Sequence, residues 1–260
     1  MEKKRLLAHL TDDAERMLGA RALDLAEQAM ERESPVPTDF LDPREAEIVE
    51  GVLGSIPRVH YRSYGGYRQA ERKRYLVFPD YYLVDLLETP ISALEIRGDF
   101  PEPPGHRVCL GALLGLGIER RQVGDLLPQD DGFQVLVARE LQTFIEANFT
   151  HVGRTRVTVE PIDFERLAVE PERVKEIRAT VASMRLDALA AAGFGTSRSK
   201  MAREIRTERV KLNWKLTTNP AAAVSEGDII SIRGRGRVHV ESVQGETRKG
   251  RVAVVLKRMF

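Results

Sequence analysis

Apolar residues recur along this chain with two different spacings, and the changes between them divide it into elements. In residues 2–31, Leu18, Leu25 and Ala29 are among apolar positions spaced to share one helical face, so the whole stretch reads as helix. Ser34-Pro35-Val36-Pro37 breaks it. Asp42-Pro43-Arg44-Glu45 then has the form of a helix start: Asp42 to cap, Pro43 for the first helical position, Glu45 to reach back to the cap N–H. That helix should end near Gly51 or Gly54. Residues 59–64 read as a strand stopped by Gly65-Gly66, and residues 75–78 as a second strand.

From Ile91 the order of elements becomes informative. Residues 91–96 read as a strand and residues 107–115 as a helix despite its glycines. Two strands follow, residues 123–127 and 133–137, separated by Pro128-Gln129-Asp130-Asp131-Gly132. Residues 138–148 then form a helix with Leu141, Phe144 and Ile145 expected inward, and residues 156–159 a last strand. The order is βαββαβ, the ferredoxin-like arrangement shared by many RNA-recognition modules. The aromatic stacking signature of such modules is missing from the central strands, so the fold is expected here more firmly than RNA binding by the sheet.

Residues 185–232 show a third pattern. Leu186, Leu189 and Ala190 share one side of a short helix, and Gly193 is placed to end it in a left-handed conformation. Ser197 is the expected N-cap of a second helix. On that helix Met201, Ala202 and Ile205 fall in one sector, while Lys200, Arg203 and Arg206 fall on the other side. A strand at residues 210–213, a turn at Trp214-Lys215 and a strand at residues 229–232 follow. Beyond them, Gly234-Arg235-Gly236-Arg237 should turn into a strand at 238–243, and residues 245–250 into another at 252–256.

Charge changes the picture, because a net of +1 conceals a division. Residues 1–184 carry 24 Lys+Arg against 32 Asp+Glu, whereas residues 185–260 carry 16 against 7. A basic final third is drawn to a polyanion while the acidic remainder limits indiscriminate sticking. A single cysteine excludes an internal disulfide and a multi-cysteine zinc site, and Cys109 reads as a small buried hydrophobe. Met1-Glu2-Lys3-Lys4-Arg5 is not followed by a signal-peptide core, and the longest apolar run, residues 108–118, is too short to span a bilayer. A reducing, cytoplasmic setting without membrane insertion is expected.

Residues 185–232 resemble the S4 RNA-binding domain. The residues carrying the likeness are Arg185-Leu186-Asp187, Gly193, Ser197-Arg198, Ala202, Ile205, Val210-Lys211-Leu212-Asn213, Pro220, Val224 and Gly227-Asp228. Trp214 departs from it, where many S4 domains carry Gly. Further landmarks are similar to the YlmH family of bacterial S4 proteins: residues 38–45, Gly65-Gly66-Tyr67 with residues 70–74, Pro79-Asp80-Tyr81-Tyr82, and residues 110–117. Residues 197–201 and 232–237 resemble the cyanobacterial branch, labelled photosystem II S4-domain proteins.

The resemblance implies a non-enzymatic RNA-binding protein acting on rRNA, with tRNA as a second candidate, of the large ribosomal subunit in rescue of stalled nascent chains. Other labels of the family point to cell division or photosystem assembly. The expected architecture is α+β: a helical and hairpin region at 1–83, a ferredoxin-like domain at 84–165, a linker at 166–182, and the S4 domain with a β extension at 183–260.

The expected RNA contacts are Arg185, Ser197, Arg198, Lys200, Arg203, Arg206, Arg209, Lys211, Lys215, Arg233, Arg235 and Arg237, with Asn213 reaching a ribose or base edge. Arg72-Lys73-Arg74, beside Tyr67 and Tyr75, is a secondary candidate. No catalytic residue, metal site or cofactor is expected. The rival is an RNA-modifying enzyme. Arg185-Leu186-Asp187 imitates a pseudouridine synthase motif, but Met184 precedes it and the triplet opens the S4 helix. Gly111, Gly115 and Gly117 lie in or after a helix rather than straight after a strand, as a methyltransferase loop would. Asp99 and His106 flank a proline-rich loop, and the five histidines show no ligand spacing.

Overall fold

The computed structural model describes residues 6–8, 10, 12–169, 173–247 and 250–259. It forms two compact units, residues 1–169 and 170–260.

The first unit opens with α1, Asp13–Glu31, whose N-cap Asp12 accepts a hydrogen bond from the Ala14 N–H. The helix therefore begins later than residue 2; of the expected earlier part, residues 1–5, 9 and 11 lie outside the described residues. Gly19, Ala22, Leu23, Ala26 and Ala29 form its buried stripe. α2, Pro43–Leu53, starts with the capping box expected of Asp42 and Glu45 and with proline in its first turn. Both helices pack on a three-stranded sheet of β1, Val36–Pro37, β2, Val59–Tyr64, and β3, Arg74–Pro79, in the order β1-β3-β2.

The rest of this unit has the βαββαβ order, with one added two-residue strand, His151–Val152, before the last. Its elements are β4 (Ile91–Gly98), α3 (His106–Leu114), β5 (Val123–Gln129), β6 (Gly132–Ala138), α4 (Gln142–Asn148), β7 (His151–Val152) and β8 (Thr155–Ile162). The antiparallel sheet runs β5-β6-β4-β8-β7. β4 thus lies between β6 and β8, the strands that precede and follow α4, as the ferredoxin-like arrangement requires, and the two-residue β7 is added at the edge beyond β8. Leu94, Ile96, Phe133, Val135 and Val137 meet Cys109 and Leu113 of α3 and Ile145 of α4 in one core. Phe144, expected inward, is 43% exposed. A 3-10 turn at Arg139–Leu141 precedes the seven-residue α4, which presents Ile145 to the sheet and leaves Phe144 about 100° to the side. Burial pushes the Cys109 thiol up to about 11, so the neutral form fills the core.

The second face of this sheet is also covered. Ile91, Ala93 and Leu136 pack on Phe40 together with Tyr64, Tyr67, Phe164 and Leu167. Beside them, buried Gln134 donates to Glu95 at 2.9 Å.

The second unit contains α5, Leu186–Phe194, and α6, Arg198–Arg206, packed on one sheet in the order β11-β10-β12-β13-β14-β9. Those strands are β9 (Val174–Val181), β10 (Val210–Leu212), β11 (Lys215–Leu216), β12 (Ile229–Ile232), β13 (Gly236–Glu246) and β14 (Val252–Met259). β9 lies within the stretch read from sequence as a linker. Charged residues alternating with Ile177, Ala179 and Val181 suit an edge strand, and eight register pairs with β14 carry its hydrogen bonds. Leu186, Leu189, Ala190, Met201 and Ile205 are buried against Val210, Ile230, Val238 and Leu256.

The end of α5 lies two residues beyond the expected one. The left-handed cap is Gly195, at φ 63°. Gly193 lies inside the helix, where an added Cβ would meet Val238 Cγ1 at 2.6 Å. Close packing on the sheet, not backbone handedness, selects glycine there.

Candidate nucleic-acid interface

α6 is placed by Ser197, whose hydroxyl accepts from the Lys200 N–H at 3.3 Å. With Met201 and Ile205 turned into the core, Lys200, Arg203 and Arg206 are left exposed on the opposite side. The chain leaves the helix through exposed Arg209 into β10, pairs with β12, and turns back through Asn213 and Trp214. An open groove of about 1240 Å³ lies between these elements. Lys200, Arg209, Lys211, Arg233 and Arg235 give it positive walls, Trp214 and Leu216 an apolar floor, and Glu204 and Glu208 a local acidic edge.

Apart from Ser197, which caps α6, the expected contact residues fall into three groups. Lys200, Arg203, Arg206, Arg209, Lys211 and Arg233 have no ion-pair partner among the described residues. Four of them line the groove, and Arg203 and Arg206 project from the neighbouring side of α6. A second group is engaged inside the unit. Arg185 and Arg198 both bind the buried Asp187, with Nε–Oδ distances of 3.2 and 3.0 Å. Arg235 binds Glu204 at 2.9 Å and lies 5.3 Å from the centre of the Phe194 ring. Asn213 donates to Asp228 at 2.8 Å and accepts from the Ile229 N–H at 2.9 Å, so its amide locks the hairpin rather than facing outward alone. Exposed Lys215 and half-buried Arg237 form the third group, each already in contact with a neighbour. Arg237 packs its guanidinium 5.7 Å from the centre of the Trp214 ring.

Asp187 opens α5 and is 5% exposed. Burial opposes its ionisation, but hydrogen bonds from Arg198 and Arg185 outweigh that and hold its carboxyl below the usual range. The geometry is that of a structural anchor at the start of the helix.

The secondary candidates behave differently. Arg74 is 4% exposed; it donates to the Thr38 and Pro90 carbonyls and to both oxygens of Glu140. Arg72 donates to the carbonyls of Val123 and Phe40. Of the triplet, Lys73 alone has no side-chain hydrogen bond or ion pair among the described residues. Neighbouring Arg120, not singled out in the sequence, also donates to the Val123 carbonyl; burial, then the nearby Arg72, pulls its guanidinium down to about 10. Among the described residues no group of three or more His, Cys, Asp or Glu is placed to hold a metal ion. No described helix is long and apolar enough to cross a membrane.

Three stretches of the chain match known families. Residues 14–82 match the family described as "YlmH, N-terminal", residues 102–166 "Putative RNA-binding domain in YlmH", and residues 184–230 "S4 domain". The chain is 36% identical over 222 residues to ribosome-associated protein quality control protein P2 of Bacillus subtilis (strain 168), covering 85% of this chain and 86% of that relative. The chain belongs to the YlmH family.

A solved structure titled cell division protein ylmH from Streptococcus pneumoniae is similar in fold, with a TM-score of 0.53 at 21% identity, covering 60% of this chain and 96% of that one. The S4 match ends at residue 230, so β13 and β14 lie beyond it and Arg233, Arg235 and Arg237 come from the extension. This YlmH-family protein is a homologue of a ribosome-associated quality control protein and carries RNA-binding and S4 domains. The sequence reading missed the aromatic contribution. Trp214 entered it only as a departure from glycine at a turn, whereas folding sets the ring into the cationic groove.

Proposed function

We propose that this YlmH-family protein binds structured RNA without catalysing a reaction on it, in the cytoplasm. It would dock on rRNA of the large ribosomal subunit, with tRNA as a second candidate, where stalled nascent chains are handled. The supporting observation is the groove of the second unit, where Lys200, Arg209, Lys211 and Arg233 converge without ion-pair partners among the described residues. Cations displayed from α6, β10 and the turn after β12 suit RNA phosphates and 2′-hydroxyls, which are recognised largely by shape. Arg185 and Arg198 shape the helix entry through Asp187 and add less to the field.

The test is the salt dependence of binding to large-subunit rRNA fragments. If about four to six phosphates are engaged, the log–log slope of affinity against salt should be about −3 to −5. Lys200→Glu with Arg209→Glu should flatten that slope and release the protein from large subunits in sedimentation, with unchanged thermal unfolding. A salt-independent affinity would overturn the reading. Altered nucleosides in rRNA from cells lacking the protein would favour the enzymatic alternative.

A further inference from the structure

The Trp214 side chain lacks the usual structural reasons for being where it is. Asn213 and Trp214 are the two central residues of a tight hairpin, since Leu212 pairs with Lys215. Both have left-handed backbones, at φ 48° and 67°. That turn suits asparagine at its first central position and glycine at its second. A tryptophan in the second position carries the steric cost of its Cβ, and sparsely populated backbone states persist where the surroundings enforce them. The enforcement is visible: the Asn213 amide is tied to Asp228 and to the Ile229 N–H.

Packing does not explain the ring. Trp214 is only half buried and takes no part in the core beneath α5 and α6. Its ring lies along the groove with Leu216, which is 51% exposed. Arg237 steadies it from β13 by a cation–π contact. Lys211, one residue before Leu212 and cross-strand neighbour of Leu216, brings a cation beside the same surface.

We propose that Trp214 is a stacking platform for one unpaired base, so that the groove takes a nucleotide from a loop, bulge or strand end. The inference rests on the RNA-binding reading of this groove and adds the class of RNA it selects. A continuous duplex presents phosphates but keeps its base faces stacked, so a ring beside cations has nothing to cover there. A splayed nucleotide offers both parts: a flat base for Trp214 and Leu216, and flanking phosphates for Lys200, Lys211 and Arg209.

The chain's single tryptophan reports on this directly. The full-length protein is titrated with RNA hairpins that share a stem and carry adenosines or abasic residues in the loop. The adenosine loop should quench the emission and bind about 5- to 150-fold tighter than the abasic one, the range of one base–aromatic stack. Trp214→Gly, which relaxes the turn, should unfold at the same or a higher temperature and bind both hairpins alike. Trp214→Phe should keep part of the preference. Salt-dependent binding with equal affinity for the two hairpins would sink the stacking role and leave the RNA reading standing. Failure to bind either hairpin or large-subunit rRNA would sink both. Undiminished discrimination by Trp214→Gly would also overturn the stacking role.

Discussion

Two arginine-rich clusters in this chain have opposite fates. Arg72-Lys73-Arg74 is the denser in charge, the Lys200–Arg209 stretch the longer, and both are candidates for RNA contact from sequence. In the first unit the cluster runs into β3 beside bare carbonyl oxygens. Arg74 collects Thr38, Pro90 and Glu140, and Arg72 collects Phe40 and Val123. In the second unit Met201 and Ile205 take the inward positions of α6, so Lys200, Arg203 and Arg206 have nowhere to go but solvent. Whether a cation is structural or displayed therefore depends on unsatisfied acceptors within reach, not on the density of charge in the sequence.

Arg74→Ala should give the largest effect. It strands Glu140 and two carbonyls and should cost about 3 kcal/mol, the low end for breaking a buried pair because Glu140 is half exposed. Denaturant unfolding would measure it, and the affinity of the folded fraction for rRNA should not change. A lost affinity at preserved stability would mean the triplet is displayed after all.

Arg72→Ala should cost less, about 1–3 kcal/mol, because two carbonyls lose a charged donor. It too should leave the salt slope of RNA binding unaltered.

Asp187→Asn probes the intermediate case, in which arginines expected to be displayed are held by a carboxylate. The folded carboxyl lies below its ordinary value of 3.8, so its ionised form stabilises the fold above that pH. That contribution is lost as pH falls through the lower folded value. The variant should be about 1–2 kcal/mol less stable at pH 7. Its stability deficit should shrink below pH 3.8, because the wild type then loses the same interaction. Thermal unfolding between pH 7 and pH 2.5 checks both the size and the sign.

Arg203→Ala should have the smallest effect on stability, within about 0.5 kcal/mol, since an exposed helix position gains propensity and loses only a weak dipole interaction. Its signature should instead be a shallower salt dependence, by about one phosphate contact. If Arg203→Ala unfolded the protein, the contrast between the two clusters would fail.

Much of this was legible beforehand because it depends on local rules. The Asp42–Glu45 capping box, the Ser197 cap and the βαββαβ order all follow from short-range hydrogen bonding and periodicity, and each is present. The misreadings are non-local. Gly193 is glycine because Val238, 45 positions later, packs against it. Residues 174–181 looked like a connector because their hydrogen-bond partner, β14, lies at the far end of the chain. Phe144 does not face inward with Ile145, because a 3-10 turn replaces the first part of the expected helix.

Taken alone, the sequence determined most of the helices and strands and that the last third would be basic. Those properties are written in periodicity, caps and composition, each readable within a few residues. Tertiary structure alone decided which cations stay free, that Phe40, Tyr64 and Tyr67 close the second face of the ferredoxin-like sheet, and that Trp214 borders a positive groove. The reason is that burying or displaying a polar group depends on partners supplied by distant strands and turns, and only the folded chain brings those together.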